Sequence, residues 1–319
     1  MTSRHLVDPE LLGLLEMWPQ VTLDESVLPL LRDATRLPVG EIVNPERVTK
    51  QVLAAPGRDG APDVPLLHYR PAEHEGAALP CLYHIHGGGY VGGTTGSLEP
   101  IHRLLVETIG CALMSVDYRL APETPFPGPI EDCYAGLDWL FRHADELGID
   151  PARIGIGGES AGGGLAAALG LLARDRGEHR LAFQHLVYPM IDDRTCITAD
   201  PHPHAGEFIW NAASNAFGWR AYLGKAPGSD GIPAYAAAAR AKDLAGLPPT
   251  FLCTGALDLF VDEDIAYATR LIRAGVPTEL HVYPGGFHGF DIDQTADVSR
   301  RMRRDSWDFL KRHLQAGGR

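Results

Sequence analysis

The feature that most restricts the fold of this chain is a short apolar run that ends in glycines, Ile154 to Gly164. Within it, Gly158-Glu159-Ser160-Ala161-Gly162 matches the pattern G-x-S-x-G, which is typical of a sharp strand-to-helix turn with an exposed serine at its apex. Glycines suit such a turn because side chains two residues either side of the strained serine would collide with neighbouring backbone. A glycine-rich turn without chemistry has the same pattern, so the rest of the chain has to distinguish the two.

Predicted strands and helices alternate on both sides of this turn. The strands are 48–53, 64–69, 79–86, 111–116, 154–157, 181–188, 251–255 and 278–283, and the main helices are 98–109, 130–147, 161–174, 261–274 and 297–314. This alternation predicts a mostly parallel sheet covered by helices on both faces, with the first two strands as an antiparallel hairpin at its edge. Ligands bind such sheets at the carboxyl ends of the strands, so the residues that follow each strand are the candidates for function.

Two stretches interrupt the alternation. Residues 9–38 predict two short amphipathic helices separated at Pro19, which form either a lid or a simple buttress on the core. Residues 192–247 contain many aromatic side chains and no clear strand, so we expect an insertion that helps to build a substrate pocket, the alternative being a helical excursion with its own small core. The predicted division is therefore 1–45 and 192–247 as a helical cap, with 46–191 and 248–319 as the catalytic domain.

Composition argues against several partners. The 41 acidic residues outnumber the 28 basic ones, and the formal net charge of -13 disfavours nucleic acid or an anionic membrane surface. The five cysteines lack metal-ligand spacing, and Cys81, Cys111 and Cys253 fall in apolar strands as small buried hydrophobes, which predicts a reduced, cytoplasmic protein. The N-terminus has no signal-peptide core, and the longest apolar run, 164–173, is too short to cross a membrane.

Three strand ends carry the groups that a nucleophilic serine requires. Ser160, Asp258 and His288 each lie just past a predicted strand. A serine hydroxyl is a poor nucleophile until a base takes its proton, and the base has to be held in one tautomer by a carboxylate. Asp262 and Asp264 are competitors for Asp258, but we expect both to lie in the following helix and to face solvent.

A fourth strand end carries His86-Gly87-Gly88-Gly89. Acyl transfer develops negative charge on a carbonyl oxygen, and backbone N–H groups that no side chain covers can receive that charge. The residue after the nucleophile, Ala161, supplies a further N–H group. A triple glycine is also typical of a flexible or phosphate-binding loop, but no Lys-Ser or Lys-Thr follows it here, which disfavours phosphate.

These motifs, taken together, resemble those of the hormone-sensitive-lipase-like esterases, bacterial family IV of the α/β-hydrolase superfamily. The matching residues run from about 80 to 290 and are His86-Gly87-Gly88-Gly89, the segment DYRLAPE at 117–123, Gly158-Glu159-Ser160-Ala161-Gly162-Gly163, Asp258 and His288-Gly289-Phe290. The chain order of nucleophile, acid and base is the order found in α/β-hydrolases. One departure is Glu159, where many members have Asp, and we expect a structural or tuning role for it.

The resemblance implies an α/β-hydrolase fold with a helical cap and a serine carboxylesterase that hydrolyses short- to medium-chain acyl esters of small molecules. It also implies no metal and no organic cofactor. The implied catalytic residues are Ser160, Asp258 and His288; the implied oxyanion-hole residues are Gly88, Gly89 and Ala161; the implied structural residues are His86, Arg119 and Glu123.

Substrate contacts are predicted from aromatic residues near these motifs, namely Tyr90, Tyr188, Phe208, Trp210 and Trp219. Pairing of the last strand across a sheet edge would form a homodimer. The motifs leave open an amidase, lactonase, thioesterase or lipase that uses the same three residues. A non-catalytic small-molecule-binding protein on the same fold is disfavoured because His288 is present.

Overall fold

The computed structural model describes residues 3–18, 21–35 and 40–315, in which eight strands form a single sheet. The strands are β1 Val48–Ala55, β2 Val64–Pro71, β3 Leu79–Ile85, β4 Ala112–Val116, β5 Ile149–Glu159, β6 Gln184–Val187, β7 Thr250–Gly255 and β8 Thr278–Tyr283. Their order across the sheet is β1-β2-β4-β3-β5-β6-β7-β8. Strand β1 pairs antiparallel with β2, and β2 pairs antiparallel with β4, while the other neighbours are parallel.

The helices are α1 Leu12–Met17, α2 Leu28–Ala34, α3 Glu99–Ile109, α4 Gly128–Arg142, α5 Ala144–Leu147, α6 Ala161–Arg176, α7 Ala212–Leu223, α8 Val261–Arg273 and α9 Asp297–Gln315. The α/β-hydrolase fold predicted from the sequence is confirmed, as is the edge hairpin of β1 and β2. One predicted helix, 130–147, is in fact the two helices α4 and α5, which meet at His143.

Strands β3, β4, β6 and β7 are buried on both faces, whereas the edge strand β8 is only partly buried, and two apolar clusters cover the sheet. Helices α4, α6 and α8 pack on one face, where Tyr83 and Leu165 belong to the first cluster. Helices α3 and α9 pack on the other face, where Leu113 and Phe309 belong to the second. Strand β3 is buried along its whole length, which explains why its sequence is mostly apolar, with His84 as the polar exception.

Parts of both stretches that interrupt the alternation lie near the carboxyl ends of the strands, where Trp18 and Leu31 from the first and Ile209 and Trp210 from the second line one cavity. Residues 3–18 and 21–35 form short helices, as predicted, although Pro19 and Pro38 lie outside the described residues. Segment 192–247 contains no strand, and its one α-helix is α7. In the described part of the chain, no helix combines the length and the apolar character that crossing a membrane requires.

Candidate active site

The serine turn has the geometry that its sequence predicts. Ser160 lies between β5 and α6 with φ of 55° and ψ of -122°, a left-handed backbone conformation that non-glycine residues rarely adopt. The turn is tightly packed: a Cβ atom on Gly158 would approach the carbonyl oxygen of Ile85 to 2.3 Å, and one on Gly162 would approach it to 2.0 Å. Only glycine fits these two positions, so the pattern G-x-S-x-G has a steric cause here.

Three strand ends meet at this turn. The Ser160 Oγ atom lies 2.9 Å from Nε2 of His288, and Nδ1 of His288 lies 2.8 Å from Oδ2 of Asp258. The second oxygen of Asp258 accepts a hydrogen bond of 3.0 Å from the N–H group of Phe260. All three side chains are buried. This arrangement fits a Ser-His-Asp triad, because one carboxylate holds the imidazole ring with its other nitrogen directed at the serine.

Aromatic side chains enclose the imidazole of His288. Tyr188 and Phe260 lie edge-on to it, with ring centroids 4.9 Å and 5.1 Å away, and Trp210 lies at 6.2 Å. The Tyr188 hydroxyl donates a 2.7 Å hydrogen bond to Asp291, which holds Tyr188 in place. The ring of His288 is therefore fixed by packing as well as by Asp258.

The expectation that Asp264 faces solvent is wrong. Its side chain is fully buried, and it shares the inner face of α8 with Tyr267, Ala268 and Leu271, at the spacing of successive helical turns. Burial raises the pKa of the Asp264 carboxyl well above its ordinary value. Asp262 is exposed, as expected.

The loop after β3 and the serine turn together leave three backbone donors unused beside the serine. Within the described residues, the N–H groups of Gly88, Gly89 and Ala161 donate no hydrogen bond. His86 is buried under the loop, where its ring stacks on Tyr118 with a centroid distance of 4.3 Å. This loop and the serine turn line the same cavity.

Two arginine–carboxylate pairs brace the loops around the site. Arg119 makes a bidentate ion pair with the buried Asp132, with N–O distances of 2.8 and 2.7 Å. Glu123 makes a second bidentate pair with Arg32 of α2, with both N–O distances at 2.7 Å. Glu123 thereby ties the N-terminal helices to the loop that follows β4, and the sequence offered no signal for Arg32 as its partner.

The aromatic residues predicted to contact substrate divide into two groups. Tyr188 and Trp210 line the cavity that contains Ser160. Tyr90, Phe208 and Trp219 are buried and are not among the residues that line this cavity. Tyr90 instead donates a 2.7 Å hydrogen bond to the carbonyl of Met190 and stacks on Tyr222, so it packs behind the wall of the cavity.

The cavity has a volume of about 470 Å³ and extends beyond the triad. Its outer part is lined by Trp18, Leu31, Ile209 and Trp210, and its inner part lies between the sheet and helices α3 and α9. Polar residues that the sequence analysis did not single out lie in this inner part. They are His84, His102, His185 and Ser306. A usable signal was present in β3, where Leu82, His84 and His86 alternate towards one face of the sheet.

Glu159 also lines the inner part of the cavity. Both of its oxygens contact the same ring nitrogen, Nε2 of His84, at 3.0 and 2.9 Å. Burial alone would raise the pKa of Glu159, but the charge attraction and hydrogen bond of His84 outweigh it and leave that pKa below its ordinary value. Glu159 is thus an ionised group beside the serine.

One group of described side chains has the spacing of metal ligands, Asp138, Glu178 and His179. These residues follow the far end of α6 or lie on α4 beside it. Helix α6 has 16 residues and begins directly after Ser160, so this group is about 24 Å from the serine. Asp138 already accepts hydrogen bonds from Arg142 and His179, and Glu178 accepts one from Tyr134.

Known proteins are similar to this chain in both sequence and fold. A family model described as α/β hydrolase fold matches residues 82–292. Esterase LipI of Mycobacterium tuberculosis is 34% identical over 294 residues, which cover 90% of this chain and 89% of LipI. Carboxylesterase NlhH of the same organism is 34% identical over 296 residues, covering 90% of each.

A solved structure described as a bacterial heroin esterase is 41% identical, with a TM-score of 0.91, and the match covers 98% of this chain and 99% of that one. Sequence, fold and site geometry therefore agree. The chain belongs to the hormone-sensitive-lipase-like family of α/β-hydrolases, and it is a carboxylic ester hydrolase.

Proposed function

We propose that Ser160 is the nucleophile of this esterase, that His288 is its general base and that Asp258 orients His288. The observation that carries the proposal is the continuous chain of hydrogen bonds, 2.9 Å from Ser160 to His288 and 2.8 Å from His288 to Asp258. Ser160 attacks the ester carbonyl as His288 takes its proton. His288 then protonates the leaving alcohol, and a water molecule repeats the cycle on the acyl-enzyme.

The developing oxyanion is received by the N–H groups of Gly88, Gly89 and Ala161. Support comes from their position beside the serine and from the absence of any other hydrogen bond from these three groups within the described chain. Such donors stabilise the tetrahedral intermediate without reorganisation, because the backbone is already held in place. His86 has a structural role, since its ring packs under the loop.

The acyl groups are short to medium in length. The cavity of about 470 Å³ is within the range of small-molecule sites, and its outer walls are mostly apolar. We assign residues 1–45 and 192–247 to a cap, because Trp18 and Leu31 from the first segment and Ile209 and Trp210 from the second line the cavity. These cap residues would set the size of the ester that is accepted.

The test is hydrolysis of p-nitrophenyl butyrate by the wild type and by Ser160→Ala. We expect the variant to lose hydrolysis while its circular-dichroism spectrum is unchanged, and to lose labelling by a fluorophosphonate probe. Hydrolysis by Ser160→Ala at the wild-type rate would overturn the assignment. A profile of p-nitrophenyl esters from acetate to palmitate tests the acyl range, with the highest kcat/KM expected at short to medium chains.

We further propose a homodimer and a cytoplasmic location. Strand β8 pairs with β7 on one side and forms the end of the sheet, where an unpaired edge can accept a second copy. Sedimentation equilibrium should give twice the monomer mass, and a monomer mass would contradict the dimer. All five cysteines are unpaired, which supports a reducing compartment, and cell fractionation tests it.

A further inference from the structure

The inner part of the cavity, which we call the inner arm, is built from a row of polar residues on the sheet. We define it by Leu82, His84, His102, Glu159, His185 and Ser306. His84 of β3 and His185 of β6 both pair in register with Gly157 of β5, so they flank it in one row across three strands. Glu159 is two residues beyond Gly157 and points to the same face. The inner arm thus begins beside Ser160 and continues between the sheet and helices α3 and α9.

The Glu159 carboxylate has free hydrogen-bonding capacity that faces the cavity. Its side chain is 29% accessible although it lies between the sheet and the helices, so the accessible surface is cavity surface. Both oxygens share the one donor Nε2 of His84, whereas a carboxylate has about four acceptor positions. Among the described residues no Lys or Arg makes an ion pair with Glu159.

Apart from His84, the surrounding groups add no positive charge beside that carboxylate. Burial lowers the pKa of His185 to about 4, and its Nε2 atom lies 2.7 Å from the Ser306 hydroxyl. Burial, reinforced by the neighbouring His84, holds the pKa of His102 well below its ordinary value. Both rings are therefore uncharged at neutral pH. Among the described residues that line the cavity the one arginine is Arg303, which contacts Gln294 and the face of Trp307 instead of Glu159.

His102 is an independent sign that the inner arm holds a polar ligand. The residue is 3% exposed, and neither ring nitrogen has a hydrogen-bond partner in the described chain. Its ring lies 4.4 Å from that of His84, which in turn contacts Glu159. A buried imidazole without partners loses free energy relative to one that is hydrogen-bonded. A ligand with a polar group would remove that loss.

We propose that the inner arm is a substrate subsite in which Glu159 accepts a hydrogen bond from an ammonium or hydroxyl group carried close to the scissile ester. Ammonium and hydroxyl groups are the donors that an ionised carboxylate binds best, and the apolar neighbours, such as Leu82, pack against the methylene groups between the donor and the ester. The inference rests on the proposed function of Ser160. It assigns the specificity of this enzyme to the residue that departs from the family pattern.

The test compares three acyl groups of equal size in p-nitrophenyl esters: butyryl, 3-hydroxypropionyl and 3-aminopropionyl. The kcat/KM of each polar ester is divided by that of butyrate, first in the wild type and then in Glu159→Gln, which cancels differences in chemical reactivity. We expect the ratio for the ammonium ester to fall at least tenfold in the variant and that for the hydroxyl ester to fall less. The hydroxyl ratio should fall less because Gln keeps an acceptor oxygen and loses only the charge.

A second series places the donor on the alcohol side. It compares 3-(dimethylamino)propyl acetate with 4-methylpentyl acetate, an apolar ester of the same shape. Hydrolysis is measured by titration of the released acid. A tenfold fall of the amine ratio in Glu159→Gln in either series supports the subsite. Ratios that stay within twofold in both series overturn it.

Asp262→Asn is the matched control, because Asp262 is an exposed carboxylate outside the cavity, and it should leave all ratios unchanged. Thermal unfolding of each variant verifies folding. The butyrate activity of the wild type, and its loss in Ser160→Ala, reports the proposed function separately from the subsite.

Discussion

Two carboxylate–histidine pairs lie on either side of Ser160, and they differ in where the chain carries them. Asp258 and His288 lie on loops that follow β7 and β8, and their Nδ1–Oδ2 distance is 2.8 Å. Glu159 and His84 lie within β5 and β3, with a closest N–O distance of 2.9 Å. As isolated carboxylate–histidine contacts the two are nearly alike in geometry.

The difference lies in what each histidine reaches with its other nitrogen. His288 reaches Ser160 at 2.9 Å, a side chain on the turn that follows β5 and faces the cavity. His84 reaches the hydroxyl of Ser115 at 3.4 Å, and Ser115 is fully buried in β4. A loop can direct a ring across the strand ends, whereas a side chain within a strand is held at its face of the sheet. Position in the sheet, more than residue type, therefore distinguishes the pair that we propose for catalysis from the pair that we propose for binding.

The largest expected effect comes from replacing the carboxylate of Asp258 by an amide, and the same change at Glu159 is the comparison. Asp258→Asn should lower kcat for p-nitrophenyl butyrate about 10⁴-fold, because the imidazole loses the partner that sets its tautomer. Glu159→Gln should lower kcat by less than about tenfold. Equal losses in the two variants would contradict the distinction between the pairs.

The next largest effect concerns the proposed oxyanion donors, which act on the intermediate formed at Ser160. Gly88 has φ of 123°, and a Cβ atom there would lie 2.2 Å from the carbonyl oxygen of Gly92. Gly88→Ala should therefore displace the loop and lower kcat about 10²- to 10³-fold. Gly96→Ala is the matched control, since a Cβ at Gly96 meets only Thr94 at 3.9 Å. A wild-type kcat in Gly88→Ala would exclude this loop as the oxyanion hole.

Low pH should reduce the stability of the protein through His185, which lies beside the Glu159–His84 pair. Burial lowers the pKa of His185 from 6.5 to about 4, so between these values the unfolded chain binds a proton that the folded chain does not. Stability is thus lost as the pH falls through this window, by about 2 kcal/mol from pH 7 to pH 5 for this group. Urea titrations at pH 7 and pH 5 should show that the free energy of unfolding falls less in His185→Asn than in the wild type, by that amount. The surface variant His74→Asn is the control. An unchanged loss in His185→Asn would contradict the assignment.

The smallest effect is expected at Ser115, which contacts His84 of the Glu159–His84 pair. Ser115→Ala removes only a long contact of 3.4 Å to His84, so stability should fall by less than about 1 kcal/mol. The kcat for p-nitrophenyl butyrate should change less than twofold. A loss like that of Ser160→Ala would show that the second pair acts in catalysis.

Much of the fold and of the triad could be predicted from local patterns. The alternation of strands and helices predicts a parallel sheet, and residues that directly follow parallel strands converge at one edge wherever the strands lie in the sheet. Ser160, Asp258 and His288 each occupy such a position, so they could be named without knowing the strand order. The glycines of the serine turn were also readable, because their steric reason is local to the turn.

The burial of Asp264 and the composition of the inner arm could not be predicted in this way. Asp264 lies on a helix whose first turn is acidic, and only the docking of α8 decides which of these carboxylates is buried. His84 and His185 become neighbours through the order β3-β5-β6, and His102 joins them only because α3 packs over that face. The sequence by itself determined the sheet, the serine turn and the groups at the strand ends, since these depend on short-range spacing. The tertiary structure decided which buried polar groups face the cavity, since that depends on register and packing between segments far apart in the chain.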